Sequence, residues 1–253
     1  MDSKETAVKE RVINANRRFY NAVALDYEKI DGRRTQPMKK WLRANLENIQ
    51  KKCNGSRLLD LGTGTGFLTD AAKGLFSLRV GVDVSPEILE AHKDSFDLGV
   101  VADAEHLPFP DNSFDVVTSF SVLHHLYDFE PLVEEVSRVL ATGGVFYSDH
   151  DMDERFNKIF HIPLSMYRLF HNAKRRYTRA NKNITSELYD TAEWHKNGID
   201  SQYIAGLFRK RGFNVESCFH WYGLSPVSDF LFSKRCYRRG MAPIFSIIAV
   251  KQI

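Results

Sequence analysis

The residues with the clearest chemistry lie in segment 57–67, where an apolar run ends in Asp60 and is followed by Gly62, Gly64 and Gly66. Glycine has no Cβ, so the chain can turn sharply after a strand and a ligand can lie directly on the backbone. A helix beginning at this loop would offer unpaired N–H groups to an anionic part of that ligand. The segment therefore predicts a site for a nucleoside-containing cofactor.

The spacing of the glycines separates one cofactor class from another. The dinucleotide fingerprint G-x-G-x-x-G would need a glycine where this chain has Phe67. Asp60 would also repel a pyrophosphate, whereas it suits a ligand that carries a cation, such as an amino acid ammonium. A dehydrogenase is therefore the weakest of the functions that the loop allows.

Further acids stand at the ends of the next predicted strands. Asp83 ends the second strand, at the offset of roughly 20 residues at which a carboxylate accepts hydrogen bonds from ribose hydroxyls. Asp103 follows the third strand, where it would accept a hydrogen bond from an adenine amine. The fourth strand ends at Phe120, and the residues after it would wall the inner side of the site.

Strand and helix patterns alternate after residue 55 and predict the elements that position these residues. The predicted strands cover 57–61, 78–82, 98–102, 114–120, 145–148, 213–219 and 244–250. Helical segments between them indicate right-handed crossovers, hence an α/β, doubly wound, mostly parallel seven-stranded sheet. The two helices predicted over 5–30 and 36–51 form an N-terminal cap over 1–52, and the α/β domain covers 53–253. Residues 151–200 show no clear strand and are interpreted as a helical insertion that forms a substrate lid.

Length and composition are those of an ordinary globular protein. The 253 residues are 43% hydrophobic and 26% charged, and the net charge of +3 is too weak to imply nucleic acid by itself. Three separated cysteines suggest neither a zinc site nor a disulfide framework, and a reducing cytosol is the simplest context. No signal-peptide core and no run of roughly 20 apolar residues is found, so a soluble, cytoplasmic protein is expected.

Several segments together resemble the S-adenosylmethionine-dependent methyltransferases of the Rossmann-like type. Within that family the chain is most similar to the branch of ubiquinone/menaquinone-biosynthesis and related small-molecule methyltransferases. The matching segments are 59–66, 81–85, 102–115, 122–126 and 140–144. The resemblance covers roughly residues 55–150 and, weakly, the last two strands, but it does not cover the insertion. Thr142 stands where the family usually has proline.

The resemblance implies S-adenosylmethionine as cofactor and S-adenosylhomocysteine as its product. Gly62 and Gly64 would lie under the methionine part with Asp60 near its ammonium, and Phe120 would lie near the sulfur. Asp83 would hold the ribose, and Asp103 with Ala104 would hold the adenine. Tyr20 and Tyr27 resemble aromatics that close over the cofactor. The full predicted cofactor set is Asp60, Gly62, Thr63, Gly64, Gly66, Asp83, Val84, Asp103, Ala104, Phe120 and Tyr27.

Three residues are candidates for proton transfer or substrate orientation. His124 follows the fourth strand, and Asp149 and His150 follow the fifth. Oxygen or carbon nucleophiles need such a base, whereas nitrogen or sulfur nucleophiles need little beyond positioning. The alternatives are that His124 only packs behind the site and that 149–151 is a solvated strand exit. The cluster has too few obvious partners for a metal, so no metal site is expected.

The expected acceptor is a small or medium organic molecule held in a pocket closed by the aromatic-rich insertion. A basic segment at 174–179 is by default a solvated helix face, but it suggests an anionic or lipid-like substrate as an alternative. Two other functions stay open: an RNA methyltransferase that uses this segment, and a non-catalytic cofactor-binding partner protein. Nucleic acid is not favoured, because residues 119–122 lack the Pro-Pro motif of base-amine methyltransferases. The acceptor, the methylated atom and the oligomeric state are not determined.

Overall fold

One seven-stranded sheet organises the chain, in a computed structural model that describes residues 3–170, 173–232 and 235–252. The strands are β1 (Arg57–Leu61), β2 (Leu78–Asp83), β3 (Leu98–Val101), β4 (Phe114–Phe120), β5 (Leu140–Met152), β6 (Phe213–His220) and β7 (Ile244–Lys251). Their order across the sheet is β3-β2-β1-β4-β5-β7-β6. Only β7 runs against its neighbours, pairing antiparallel with both β5 and β6. The predicted fold class and strand number are confirmed.

Helices cover both faces of the sheet, as short connections between parallel strands require. They are α1 (Ser3–Val23), α2 (Tyr27–Asp31), α3 (Gln36–Cys53), α4 (Phe67–Ala71), α5 (Pro86–Ala91), α6 (Glu130–Val139), α7 (Glu154–Ile159), α8 (His161–Phe170), α9 (Ala173–Ala180), α10 (Ser186–Ala192), α11 (Ser201–Lys210) and α12 (Pro226–Phe232). Leu42 and Leu46 of α3 lie in the apolar layer on one face of the sheet, and Val136 of α6 and Phe208 of α11 lie in the layer on the other.

A third apolar cluster joins the N-terminal segment to the insertion. Phe19 of α1 packs against Tyr177 of α9 and Tyr189 of α10, with ring centroids 5.1 and 6.0 Å apart. Helices from the two parts of the chain that were predicted to form a lid therefore share one core. Residues 171 and 172 of the insertion lie outside the described residues, and the division into a cap and a domain stays a prediction.

Three details differ from the sequence predictions. The helix predicted over 5–30 is interrupted between Val23 and Tyr27. Strand β5 continues beyond residue 148 to Met152, because its last residues pair with the start of β7 after a bulge at His150. A disulfide joins Cys218 to Cys236, a pair that no spacing rule identified, and Cys53 is free.

Among the described residues, none of the helices combines the length and the apolar character that crossing a membrane requires.

Candidate active site

The glycine loop after β1 has the backbone conformation that its sequence predicted. Gly62 has φ of 60°, and a Cβ there would lie 2.7 Å from Val122 Cγ2, so only glycine fits beside the turn after β4. A Cβ on Gly66 would collide with Ser95 instead, so Gly66 is needed for packing under the loop rather than for the pocket. The loop therefore presents bare backbone on one side and is tightly supported on the other.

Asp83 holds this loop in place from the end of β2. Its carboxylate accepts hydrogen bonds from the backbone N–H of Gly64 and of Ser85, each at 2.9 Å. The side chain is buried, and this burial raises the pKa of Asp83 to about 6 although the two N–H donors favour the charged form. Asp83 therefore fixes the glycine loop and faces the pocket at the same time.

Asp60 lies beneath the loop, 2% exposed, and accepts a hydrogen bond of 2.8 Å from the Thr118 hydroxyl. Burial raises the pKa of Asp60 to about 7, and the neighbouring Asp83 adds to the effect, while the hydroxyls of Thr118 and Thr63 oppose it. A buried carboxylate poised near neutrality is stabilised by any cation that reaches it.

A pocket with an empty volume of about 740 Å³ opens at the carboxyl ends of β1, β2 and β4. Among the residues predicted from the sequence, its lining contains Tyr20, Tyr27, Gly62, Gly64, Asp83, Val84, Asp103, Ala104 and Phe120. Asp60, Thr63 and Gly66 are not among its lining residues. Ser121, Val122 and His125, which follow β4 and were expected to wall the site, also line it. Asn16, Arg34, Glu105 and Tyr127 line it as well and were not predicted. The structure thus brings eight of the eleven predicted cofactor residues together around one cavity.

Arg34 is the most informative of the unpredicted lining residues. Its guanidinium lies 4.5 Å from the centroid of the Tyr27 ring, and its Nε donates a 3.0 Å hydrogen bond to Thr65 Oγ1. An ion pair with Asp31 at 3.2 Å fixes the other end of the group. This arrangement places a cation beside the glycine loop. No motif marked Arg34, because it lies in the loop between α2 and α3.

Tyr20 and His125 close the other side of the pocket. His125 Nδ1 lies 2.8 Å from the carbonyl oxygen of Ala192, which can only accept, so Nδ1 carries the proton. His125 Nε2 is then the acceptor for the Tyr20 hydroxyl at 2.7 Å. Burial lowers the pKa of His125 to about 4, and the neighbouring His124 adds to the effect, so the ring is neutral. His125 therefore links helix α1, helix α10 and the turn after β4.

Asp149 and His150 are buried, at 1% and 5% exposure, which corrects the alternative of a solvated strand exit. Asp149 accepts hydrogen bonds from Trp41 Nε1 at 3.1 Å, from the Tyr147 hydroxyl at 2.5 Å and from His220 Nε2 at 2.9 Å. Burial favours the neutral acid, but His150 and His220 outweigh it and hold the pKa of Asp149 well below its usual range. Asp149 is therefore a fixed anion.

His150 is the strained member of this group. It is one of four described non-glycine residues with positive φ, at 71°, on the bulge near the end of β5. Its Nδ1 lies 3.0 Å from Asp149 Oδ1, yet neither ring nitrogen makes an aligned hydrogen bond. The ring centroid lies 4.7 Å from that of Phe120, which lines the pocket.

The ligand-type atoms of Asp149, His150 and His220 lie within 4.8 Å of one another, as do those of His124, His125 and Glu193. Although no metal site was expected, the group of Asp149, His150 and His220 has the ligand atoms of a metal site. The carboxylate of Asp149 already accepts from four donors, including the His150 backbone N–H at 2.7 Å. Hydrogen bonds account for the Asp149 carboxylate, whereas both ring nitrogens of His150 and Nδ1 of His220 are buried without a hydrogen-bond partner.

His124 stands apart from the pocket lining. Its Nδ1 is 2.6 Å from Asp151 Oδ1, and its Nε2 is 3.5 Å from Glu193 Oε2. Burial opposes its charged form, but Glu193 and Asp151 outweigh it and raise the pKa of His124. Because both ring nitrogens lie beside carboxylates, His124 has no free nitrogen to accept a substrate proton, and it connects β5 to α10 and the residues after it.

The basic residues of 174–179 also lie away from the pocket. Lys174 pairs with Asp190 at 2.6 Å, and the Arg176 guanidinium lies 5.9 Å from the Tyr177 ring. Arg175, Arg176 and Arg179 are exposed on α9. Their charges face solvent on the outside of the lid.

Comparison with known proteins identifies relatives of part of this chain. Residues 59–148 match a family described as a methyltransferase domain. The chain is 38% identical over 97 residues to the uncharacterised methyltransferase YcgJ of Bacillus subtilis, covering 36% of this chain and 38% of that protein. It is 33% identical over 156 residues to the ubiquinone/menaquinone biosynthesis C-methyltransferase UbiE of Vibrio cholerae, covering 55% and 58%. The chain therefore spans less than two thirds of these curated relatives.

Solved structures extend the likeness to the whole fold. A crystal structure of a S-adenosylmethionine-dependent methyltransferase from Thermotoga maritima matches 92% of this chain and all of its own, with a TM-score of 0.60 at 17% identity. The crystal structure of YcgJ matches 84% and 98%, with a TM-score of 0.54 at 19% identity. The resemblance in the sequence is thus confirmed: residues 59–148 match a methyltransferase domain family, and the chain shares the fold of these solved methyltransferase structures.

Proposed function

We propose that this protein is a S-adenosylmethionine-dependent methyltransferase that acts on a small or medium organic acceptor. The observation that carries the proposal is the pocket at the carboxyl ends of β1, β2 and β4. It combines bare glycine backbone with Asp83, Asp103 and Phe120 from three successive strand ends. Each of these positions was predicted from a separate segment of the sequence, so their convergence on one cavity is an independent argument.

The charges around the glycine loop fit a zwitterionic amino acid moiety. Asp60 and Asp83 lie against the loop, and burial raises the pKa of both, although the charge of Arg34 partly opposes this rise at Asp60. Arg34 lies beside Gly64 and lines the pocket. In this proposal Asp60 attracts the ammonium of the cofactor and Arg34 its carboxylate, while Asp83 accepts from the ribose and Asp103 from the adenine.

When bound, S-adenosylmethionine supplies an electrophilic methyl group, and this chain contributes mainly by positioning. Holding two reactants in line supplies roughly 7–11 kcal/mol of the barrier reduction. Tyr20 and Tyr27 line the pocket from the α1–α2 side and would exclude water from it.

We further propose His150 as the proton acceptor, with Asp149 as the group that positions it. The strained backbone of His150, the approach of its Nδ1 to within 3.0 Å of Asp149 Oδ1, its Nε2 without a hydrogen-bond partner and its contact with Phe120 support this assignment. Asp149 would stabilise the imidazolium that forms, as a fixed carboxylate does for a catalytic histidine. His124, with both nitrogens beside carboxylates, is assigned to positioning the turn after β4.

Several relatives are named for lipophilic acceptors. Demethylmenaquinone methyltransferase of Corynebacterium glutamicum is 36% identical over 104 residues, covering 41% of this chain and 45% of that protein. A hydroxylated or ring-activated lipophilic acceptor would need the base that His150 provides. The expected cytoplasmic location belongs to the same proposal. The alternative of RNA methylation is not favoured, because the basic residues of 174–179 face away from the pocket.

Two measurements test the proposal. Isothermal titration calorimetry should give micromolar affinity for S-adenosylhomocysteine and no heat with NAD. Transfer of a labelled methyl group from the cofactor to a metabolite extract, followed by identification of the labelled product, would give the acceptor. Cofactor binding without any labelled product would favour the non-catalytic partner protein instead. Absence of cofactor binding would refute the proposal altogether.

A further inference from the structure

Three short helices, α7, α8 and α12, present two apolar stripes to solvent. On α7 and α8 the exposed large apolar side chains are Ile159, Ile162, Met166 and Leu169, at spacings of three, four and three residues. On α12 they are Val227, Phe230, Leu231 and Phe232. Leu169 is 79% exposed and Phe230 is 86% exposed. We call these eight residues the apolar surface. A globular domain seldom leaves such stripes open unless something binds there.

Both stripes arise from the same edge of the sheet. Helices α7 and α8 follow β5, and α12 follows β6, which runs parallel to β5 because both pair antiparallel with β7. Trp221 connects the two stripes: its ring centroid lies 5.2 Å from that of Phe156 of α7, edge-on, and 4.7 Å from that of Phe232 of α12, stacked. The cofactor pocket opens at the carboxyl edge as well. The apolar surface therefore stands on the side of the molecule that the lid covers.

Helix α12 is held in place although its apolar side chains are exposed. The Cys218–Cys236 disulfide closes the segment that contains it, with a sequence separation of 18. The Tyr237 hydroxyl donates a 2.9 Å hydrogen bond to the carbonyl of Phe232, and Asp229 accepts one of 2.7 Å from the Gly223 N–H. The exposure of Phe230 is thus a feature of a fixed helix rather than of a loose end.

The basic residues around the apolar surface indicate what binds there. Segments 154–180 and 224–241 contain 11 of the 35 Lys and Arg residues but only 2 of the 32 Asp and Glu residues, so the rest of the chain is net acidic. The exposed basic side chains in these segments are Arg155, Lys158, Arg175, Arg176, Arg179, Arg235 and Arg238. An amphipathic helix with basic neighbours binds in the plane of an anionic lipid interface, because apolar side chains insert while cations meet phosphates.

We infer that the apolar surface and its basic neighbours dock this protein onto an anionic phospholipid bilayer. A second copy of the chain would bring two basic surfaces together, which their repulsion disfavours. Nucleic acid would use the charges but leave the apolar stripes in water. Docking does not depend on the proposed activity. Its consequence, that a lipophilic acceptor enters the pocket directly from the bilayer, rests on the proposed function.

Vesicle sedimentation tests this inference with the full-length protein. Vesicles of phosphatidylcholine with phosphatidylglycerol should sediment the protein at least tenfold more strongly than phosphatidylcholine alone, and raising the salt concentration should weaken the binding. Phe230→Glu and Leu169→Glu should each lower the partition coefficient at least tenfold. Leu98→Glu is the matched control, because Leu98 is 50% exposed on β3, at the opposite end of the sheet from β6. This control should bind vesicles like the wild type.

S-adenosylhomocysteine affinity and melting temperature, measured on all three variants, should be unchanged and thereby exclude misfolding. Equal partition onto neutral and anionic vesicles, or wild-type binding by both surface variants, would overturn the inference. A dimer in light scattering that Phe230→Glu dissociates, without vesicle binding, would overturn it in favour of self-association. Vesicle binding that persists in a protein unable to bind S-adenosylhomocysteine would refute the proposed function and leave the docking intact.

Discussion

The carboxylate of Asp83 accepts a 2.9 Å hydrogen bond from the backbone N–H of Gly64, so one side chain at the end of β2 holds the loop that follows β1. Parallel pairing sets Val82 opposite Leu61, which brings this strand end and the loop to the same edge. The acid that is proposed to bind the ribose therefore also shapes the cradle for the methionine part. Removing it should affect both functions.

Replacing Asp83 with Ala should reduce S-adenosylhomocysteine affinity by at least tenfold, because a charge-assisted hydrogen bond to a ligand contributes about 1.5–3 kcal/mol. Asp83→Asn should lose less affinity, since the amide oxygen of Asn can still accept the hydrogen bond from the Gly64 N–H. Calorimetric titration measures both. Asp94→Asn, at an exposed acid outside the pocket, is the control. Unchanged affinity in Asp83→Ala would refute the ribose assignment.

Cofactor affinity should rise with pH between about 5.5 and 8. Burial raises the pKa of Asp60 to about 7 and that of Asp83 to about 6, so both carboxyls gain protons and lose their attraction for a cation as the pH falls. The ammonium of the ligand stays protonated throughout this range. Titrations at several pH values in buffers of equal ionic strength give the profile. Asp60→Asn should flatten the part of the profile near pH 7, and a pH-independent wild type would contradict the Asp60 assignment.

The ligand-free protein should become more stable when Asp60 is replaced by Asn. A carboxyl whose folded pKa is raised from 3.8 to about 7 stabilises the fold only while it is protonated, and that contribution is lost as the pH rises from about 4 to 7. At pH 8 the charged Asp60 therefore lowers the free energy of unfolding by up to about 4 kcal/mol. Thermal unfolding at pH 8 should show a higher melting temperature for Asp60→Asn, with little difference at pH 4. A lower melting temperature at pH 8 would mean that the buried carboxylate is stabilised by contacts other than those described.

Arg34→Ala should weaken S-adenosylhomocysteine binding at least tenfold through the lost partner for the ligand carboxylate. Arg33→Ala is a matched control, because Arg33 also pairs with Asp31, at 2.8 Å, but does not line the pocket. Calorimetry on both variants separates a direct contact from support of Asp31. Equal losses in the two variants would assign the effect to Asp31 and its helix.

Once the acceptor is identified, His150→Ala should lower kcat by roughly 10²–10⁴-fold, because this is the usual contribution of a general base. KM for the cofactor should change little, since His150 lies beyond Phe120 rather than in the lining. Asp149→Asn should lower kcat less and shift its pH profile, as expected for a positioning residue. His106→Ala, at a histidine whose side chain is 74% exposed, is the control. Full turnover in both His150→Ala and Asp149→Asn would exclude this pair from proton transfer.

Much of the fold followed from local patterns. Six of the seven strands were predicted to within a few residues of their observed ends, whereas β5 was predicted over 145–148 and extends from Leu140 to Met152. Asp149, His150 and Asp151 do not carry the apolar pattern of a strand, and they continue β5 only because Phe245 and Ile244 of β7 pair with its end. The partner strand lies roughly 90 residues away in the sequence, beyond the reach of pattern analysis.

The amino-acid sequence by itself was enough to place the main candidate cofactor residues. The glycine loop, Asp83, Asp103 and Phe120 each end or follow a strand, and parallel strands end at one edge of the sheet. Tertiary structure decided what no local spacing encodes. It brought Arg34 onto Tyr27, His125 onto Tyr20, and Asp149 between Trp41 and His220. Loop and lid residues carry no periodicity, and their partners are set by long-range packing. The same packing left the apolar side chains of α7, α8 and α12 exposed.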